Sequence, residues 1–384
     1  MNQDADNSAV TRWKNRVVIA LFVALIWLPT VDLFVHFDHA RTPNEKRLLA
    51  TLPKLSPGVD GLRKYLAGLD AYFSDHFGCR KVLVSWNNKW KWALFHDTSI
   101  RDALIGRDGW FFFAGDLMVE HQRGVRQFTP EQLHDWQTLL ERRRDWLAQR
   151  GIKFLFVLAP DKASVYPDEL PAWVTKVNPQ TKADQFFEHM RAHSTVAVLD
   201  LRGPLRAARQ TAPVYLQTDT HWNLFGGYTG YEEIINALSR QMPGLKPVPL
   251  DAFEQKHILQ PGGDTTIVLG IRAVESNAVS FTPKQDLPLL QMTVNPLDQP
   301  AYKDPAFTTN LQADASLIIF RDSFGNALEW FLGYNFRQAA FLWQYDLDAA
   351  RIEREKPDVV ICEINERFFN VTDPKALMRK EALP

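Results

Sequence analysis

Cysteine is scarce: Cys79 and Cys362 are the only two in 384 residues. So few thiols exclude a disulfide-built scaffold and a thiolate metal cluster. Cys362 lies in an apolar, strand-like run and Cys79 at a helix start, so one bridge and two buried thiols both stay open. An excess of one charge sign is missing too. Lys and Arg number 44 against 45 Asp and Glu, a net charge of −1. No global field therefore draws the chain to nucleic acid or to anionic lipid, and an anionic partner needs a local site. The 10 histidines form no recognisable metal-ligand or His/Cys cluster. A metal site needs three or four ligands, so no metal is expected, and no other cofactor. Internal repeats and low-complexity tracts are absent as well.

One long apolar run is present, and it is N-terminal. Arg12, Lys14 and Arg16 precede Val17–Val31; Asp32 follows, then Leu33–Val35. Extended to Val35, the run approaches the ~20 residues a bilayer needs. The basic flank predicts a cytoplasmic N-terminus, with the rest of the chain outside. A cleaved signal peptide is the rival, but Trp27, Pro29 and Asp32 stand where a small-x-small site would be wanted. An uncleaved signal anchor is the expectation.

Pro43, Pro53 and Pro57 mark residues 36–56 as a linker. Helical spacing follows over Gly58–Phe77 and continues through Val82–Phe95. Ala103–Phe113 reads as a hairpin turning at Arg107-Asp108-Gly109. Strands then alternate with helices. Helices are expected at Pro130–Arg150 with Gly151 as cap, Lys182–His193, Leu224–Leu238, after Gly325, and at Ala349–Glu355. Strands are expected at Ile152–Leu158, Val196–Leu199, Leu317–Phe320, Ala339–Leu342 and Val359–Ile364. Apolar strands between helices define an α/β fold with a mostly parallel sheet covered on both faces. Residues 243–305, rich in Pro, Gly and Gln, read as an insertion of short strands and loops. Aromatic content is 12%, which permits sugar platforms but is mostly core.

The chemistry concentrates at two motifs. Phe320-Arg321-Asp322-Ser323-Phe324-Gly325-Asn326 joins a strand to a helix, so Ser323 belongs at the carboxyl end of a parallel strand. There its backbone N–H and those of its neighbours could serve an oxyanion. A Ser in that place can also be a mere N-cap. Asp219-Thr220-His221-Trp222-Asn223 supplies a partner. A serine hydroxyl needs a base, imidazole is one near neutrality, and a carboxylate orients it. In an extended turn, positions i and i+2 face the same way, so Asp219 and His221 converge. Asn223 would cap the helix from Leu224. A third cluster, Ala159-Pro160-Asp161-Lys162 through Tyr166-Pro167, also follows a strand; Lys162 contacts substrate, pairs with a carboxylate, or is a solvated loop charge. Glu363, Glu366 and Arg367 after the last strand read as a buried ion pair.

D-T-H-W followed by a D-S-F-G serine element resembles the alginate O-acetyltransferase (AlgJ/AlgX-like) family of SGNH-hydrolase-like domains. Asp75-His76-Phe77-Gly78 with Arg80, Gly106-Arg107-Asp108-Gly109-Trp110-Phe111, and Pro160-Asp161-Lys162 with Tyr166-Pro167 extend the likeness over about residues 40–370. The resemblance implies an SGNH-like three-layer α/β/α fold with permuted motif order. It implies Ser323 as nucleophile, His221 as base and Asp219 as orienting acid. It also implies acetyl transfer to hydroxyls of an extracytoplasmic polysaccharide, with an MBOAT-type membrane acyltransferase as acetyl supplier and other polymer synthesis and export subunits as partners. Lys162, Tyr166, Arg321 and Trp222 are the expected substrate contacts. Arg321 stands where Gly is common, which leaves the oxyanion donors open. The expected organisation is an anchor over 1–35 in a bacterial inner membrane, a linker over 36–56, a periplasmic acyltransferase domain over 57–370, and a tail over 371–384. An acetyl esterase with the same triad, or a non-catalytic polysaccharide-binding subunit, are the alternatives.

Overall fold

The computed structural model describes residues 3–35, 50–80, 82–83, 86–87, 90, 99–100, 103–269, 273–293, 303–381 and 383. Much of the linker and of the helical stretch expected over 82–95 lies outside the described residues. The chain divides into two compact units, Met1–Asp97 with Ile267–Ile271, and Thr98–Thr266 with Arg272–Pro384.

In the first unit, α1 (Gln3–Val35) carries the apolar run, and Arg12–Asp32 is long and apolar enough to cross a membrane. Val18, Leu21, Phe22 and Leu25 on it are exposed. That surface suits lipid, because each such side chain costs ~1.5–3 kcal/mol when left in water. α2 (Val59–His76) matches the expected helix within a residue at each end.

The second unit is built on a seven-stranded sheet. Its hairpin strands are β1 (Ser99–Ile100), β2 (Ala103–Ile105) and β3 (Phe111–Phe113), antiparallel as the Asp-Gly turn requires. The sheet itself uses β4 (Lys153–Ala159) and β5 (Val198–Asp200). A ribbon of β6 (Phe253–Pro261) and β7 (Val274–Pro283) stands apart from it. β8 (Gln291–Thr293), β9 (Ala306–Thr309), β10 (Ser316–Arg321), β11 (Gln338–Trp343) and β12 (Val359–Asn365) complete the set. The order is β5-β4-β12-β10-β11-β9-β8. The first five run parallel; β9 and β8 add an antiparallel edge.

Strand β4 shows why both faces are covered. Leu155, Val157 and Ala159 enter one apolar core, while Phe154, Phe156 and Leu158 enter the other. A period of two on a wholly apolar strand leaves no face for water. On one face α3 (Pro130–Ala148) and α4 (Lys182–His193) bury Trp136, Leu139, Leu140, Phe186 and Phe187. Both helices start from threonine capping boxes, Thr129 with Gln132 and Thr181 with Asp184. On the other face α5 (Leu224–Ser239) buries Tyr228, Tyr231, Ile234, Ile235 and Leu238.

Two expectations are corrected. The strand expected at Val196–Leu199 is Val198–Asp200, because Val196 belongs to the turn entering it. Besides the short β8, the insertion holds two long strands: β6 and β7 are 9 and 10 residues long and pair from Phe253↔Pro283 to Pro261↔Val274. The tail over 371–384 packs onto the domain. Helix Pro374–Glu381 brings Glu381 onto the buried Arg143, and Leu383 is buried. No disulfide forms among the described residues.

Candidate active site

Ser323 follows β10 at the carboxyl end of the parallel strands, just before α7 (Gly325–Leu332; after α6, Asp264–Leu269). It does not cap that helix; Phe324 occupies the N-cap position. Its neighbour Asp322 does the fixing. Asp322 Oδ1 accepts from Phe324 N–H at 2.9 Å, and Oδ2 accepts from Tyr345 O–H at 2.7 Å and Asn365 N–H at 2.8 Å. The glycine of D-S-F-G is required sterically: a Cβ on Gly325 would lie 2.7–2.8 Å from the Arg321 side chain curled beneath it.

His221 comes from a tight loop closed by the Tyr215↔Trp222 bridge and the Leu216 N–H to His221 C=O bond of 3.2 Å. Its Nε2 lies 2.7 Å from Ser323 Oγ, and its Nδ1 lies 2.6 Å from Asp219 Oδ1. With a carboxylate behind Nδ1, that nitrogen carries the proton and Nε2 accepts from the serine. Ser323 is half-buried, and the His221 and Asp219 side chains each retain 17% exposure, so the trio reaches solvent. Burial by itself pushes the Asp219 carboxyl up. The imidazole and the N–H donors of His221 and Asp264 outweigh it and hold the group well below the usual carboxylate range. Asn223 caps α5 as the sequence predicts, accepting from Gly226 N–H at 2.9 Å.

The sequence reading missed what holds this loop. Thr218, Asp219, Thr220 and His221 alternate like a strand. Asp219 reaches His221 and the Gly263-Asp264 turn; Thr218 is held by Glu275 of the ribbon, and Thr220 by Asp264 at the start of α6. Glu275 Oε2 accepts from Thr218 N–H at 2.7 Å and O–H at 2.6 Å. Asp264 accepts from Thr220 N–H at 2.8 Å and O–H at 2.7 Å. Asp264 N–H returns a 2.8 Å bond to Asp219 Oδ2. Gly263 must be glycine, since a Cβ there would stand 2.3 Å from Asp219 Cβ. Gly262-Gly263-Asp264 was the one available signal, a turn ending in a helix-starting acid.

Asp219, His221 and Asp264 have ligand atoms within 4.8 Å of one another, a cation-like spacing. Each carboxylate oxygen, however, already accepts a proton from the protein. These bonds hold both carboxylates against the histidine loop and its imidazole.

The four expected substrate contacts are internal. Lys162 is 3% exposed, and its Nζ donates to the carbonyls of Phe111, Leu216 and Gln217 at 2.5, 2.8 and 3.1 Å. It ties the hairpin to the loop before Asp219, and burial lowers its pKa to about 8. Tyr166 O–H accepts from Val214 N–H at 3.0 Å. Trp222 Nε1–H donates to Phe324 C=O at 3.0 Å, joining the histidine loop to the serine turn. Arg321 pairs with Glu329 inside the fold. Side chains so buried and bonded have no face left for a polymer. Arg367 does pair, with Asp161 at 3.3 Å, while Glu366 accepts from Asp161 N–H at 3.0 Å. The oxyanion expectation narrows too. Phe324, Gly325 and Asn326 N–H all bond within the turn and Asp322 N–H donates to Glu363, which leaves Ser323 N–H as the oxyanion candidate among residues 322–326.

A mostly parallel sheet with a strand-end serine facing a D-x-H loop defines an SGNH hydrolase-like domain. Residues 103–306, more than half of the chain, match the family described as SGNH hydrolase-like domain, acetyltransferase AlgX, and the chain belongs to that family. A relative in Pseudomonas putida, named probable alginate O-acetylase AlgJ, is 27% identical over 224 residues, 56% of this chain and 53% of that one. The chain thus spans about half the length of the curated relatives it matches. Two solved structures share the fold. Bacillus cereus PatB1 with a sulfonyl adduct has a TM-score of 0.53 at 17% identity, covering 71% of this chain and 96% of that one. A DHHW family protein from Eubacterium siraeum has a TM-score of 0.52 at 15% identity, covering 74% and 97%.

Proposed function

We propose that this chain is a membrane-anchored O-acetyltransferase that moves acetyl groups onto hydroxyls of an extracytoplasmic polysaccharide through an acetyl-Ser323 intermediate. The observation that carries the reading is the unbroken relay from Ser323 Oγ to His221 Nε2 at 2.7 Å and from Nδ1 to Asp219 at 2.6 Å. His221 takes the Oγ proton as the serine attacks the acetyl carbonyl of a donor, and the leaving group departs with that proton. Ser323 N–H serves the oxyanion. A sugar hydroxyl then loses its proton to His221 and attacks the acetyl-serine, which regains that proton as Oγ–H. Alginate is the acceptor that the relatives' name suggests. Helix α1 supports a single-pass anchor with a cytoplasmic N-terminus and a periplasmic site in a bacterial inner membrane. An MBOAT-type acyltransferase beside it would supply acetyl groups from the cytoplasm, and other polymer synthesis and export subunits complete the partnership.

The test is polymer acetylation in cells that carry the chain and its membrane acyl supplier. Ser323→Ala is expected to reduce O-acetyl content to background while the protein stays membrane-bound at wild-type level. Full acetylation by that variant would replace the enzyme with a binding subunit. Acetyl content that rises in the variant would replace the transferase with an esterase.

A further inference from the structure

Around His221 the structure places a second carboxylate beside the orienting one. Asp264 Oδ2 lies 3.9 Å from His221 Nδ1. Between them stands Thr220, whose Oγ1 is 3.3 Å from Nδ1 and donates to Asp264 Oδ2 at 2.7 Å. The Nδ1–H can therefore share its proton between Asp219 Oδ1 and Thr220 Oγ1, and the threonine passes the polarity on to Asp264. Glu275 grips Thr218 in the same two-point manner, yet its oxygens end on Thr218 and on Asn277 N–H at 2.7 Å. Of the two clamps, only the one on Thr220 has a contact to the imidazole.

We propose that Asp264 is a positioning residue for His221: through Thr220 it fixes the ring, and its charge shares the stabilisation of the imidazolium with Asp219. The proposal rests on the acyltransfer reading above. The charged groups around the ring are Asp219 from its own loop, Asp264 from α6, Glu275 from β7, Lys162 below the loop, and Arg367, whose guanidinium lies 5.7 Å from the Phe324 ring that packs on His221. Three negative groups against two buried cations leave Asp264 as the nearest charge after Asp219. At such a separation a carboxylate favours the protonated imidazole, and removing it favours the neutral one.

The experiment titrates the His221 ring protons by NMR in the full-length chain, in detergent, in a Ser323→Ala background so that turnover is not needed. Asp264→Asn keeps an acceptor for Thr220 but removes the charge, and the ring-proton titration is expected to move to lower pH than in the parent. Asp264→Ser, a smaller neutral acceptor, carries the same expectation should the first variant fail to fold. With Ser323 restored, the acid limb of kcat/KM for an activated acetyl ester should move down in pH by a similar amount. Its plateau should fall about tenfold, because the weaker base is less effective. An unchanged His221 titration in a folded variant overturns the proposal, whatever its activity. Turnover that survives Ser323→Ala would instead overturn the acyl-serine reading and leave the titration result standing.

Discussion

Ser323 rests on the end of β10, inside the sheet, whereas His221 hangs on a loop gripped from a distant ribbon. On the serine side the supports are a buried acid, Asp322, and the strand ends that surround it, with Tyr345 and Asn365 as donors. On the histidine side they are two threonines held by Asp264 and Glu275. Acidity differs in the same way. Burial pushes Asp161 and Glu329 up to about 7, and Glu363 well above its ordinary value, whereas hydrogen bonds and the imidazole pull Asp219 down. Core position sets the first region, and polar contacts set the second. The serine turn is rigid at the cost of buried acids, and the histidine loop is placed by replaceable contacts.

The largest expected effect breaks that contrast with pH. Burial raises the Asp161 carboxyl to about 7 although the paired Arg367 opposes the shift, so the group favours the fold at low pH, an advantage lost as pH rises through about 7. Over about three units at about 1.4 kcal/mol each, the group changes stability by about 3–4 kcal/mol. Asp161→Asn should flatten the pH dependence of urea unfolding between pH 4 and 7 by about that amount, and an unaltered slope would contradict it. Asp219 works with the opposite sign: its share of stability is present above the ordinary carboxylate range and fades as pH falls below it.

Next is Asp322→Asn. An amide has one acceptor oxygen, so its NH2 group must face donors that now meet the carboxylate. A loss of about 3 kcal/mol in unfolding free energy is expected. A loss under about 1 kcal/mol would mean that the sheet alone holds the turn. Smallest in stability, though large in rate, is Gly263→Ala. Its Cβ must displace Asp219, so kcat/KM should fall about 100-fold with a small change in Tm. Equal losses in rate and stability would show that the turn before α6 is part of the core.

Much of the sheet was legible because its parallel strands carry apolar runs and its helices start at Thr129, Thr181 and Asn223, local signals that act within a few residues. Ser323 and His221 were legible as motif residues, since each sits at a strand end or helix start that the pattern reveals. Asp264 and Glu275 were not. Their contacts join residues 44 and 57 positions apart across an insertion without periodicity. Lys162 misled for a related reason. A lysine after a strand looks solvated until the hairpin and the loop before Asp219 close over it, and no local pattern records that closure.

The most direct measurement is intact-protein mass spectrometry of the full-length chain exposed to an activated acetyl ester, followed by peptide mapping. One acetyl group on Ser323, absent in Ser323→Ala, slow to form in His221→Ala, and discharged onto an added oligosaccharide, is the predicted result. No adduct on Ser323 in the presence of steady acetyl transfer to sugar, or an adduct on another residue, would contradict the relay on which the account rests.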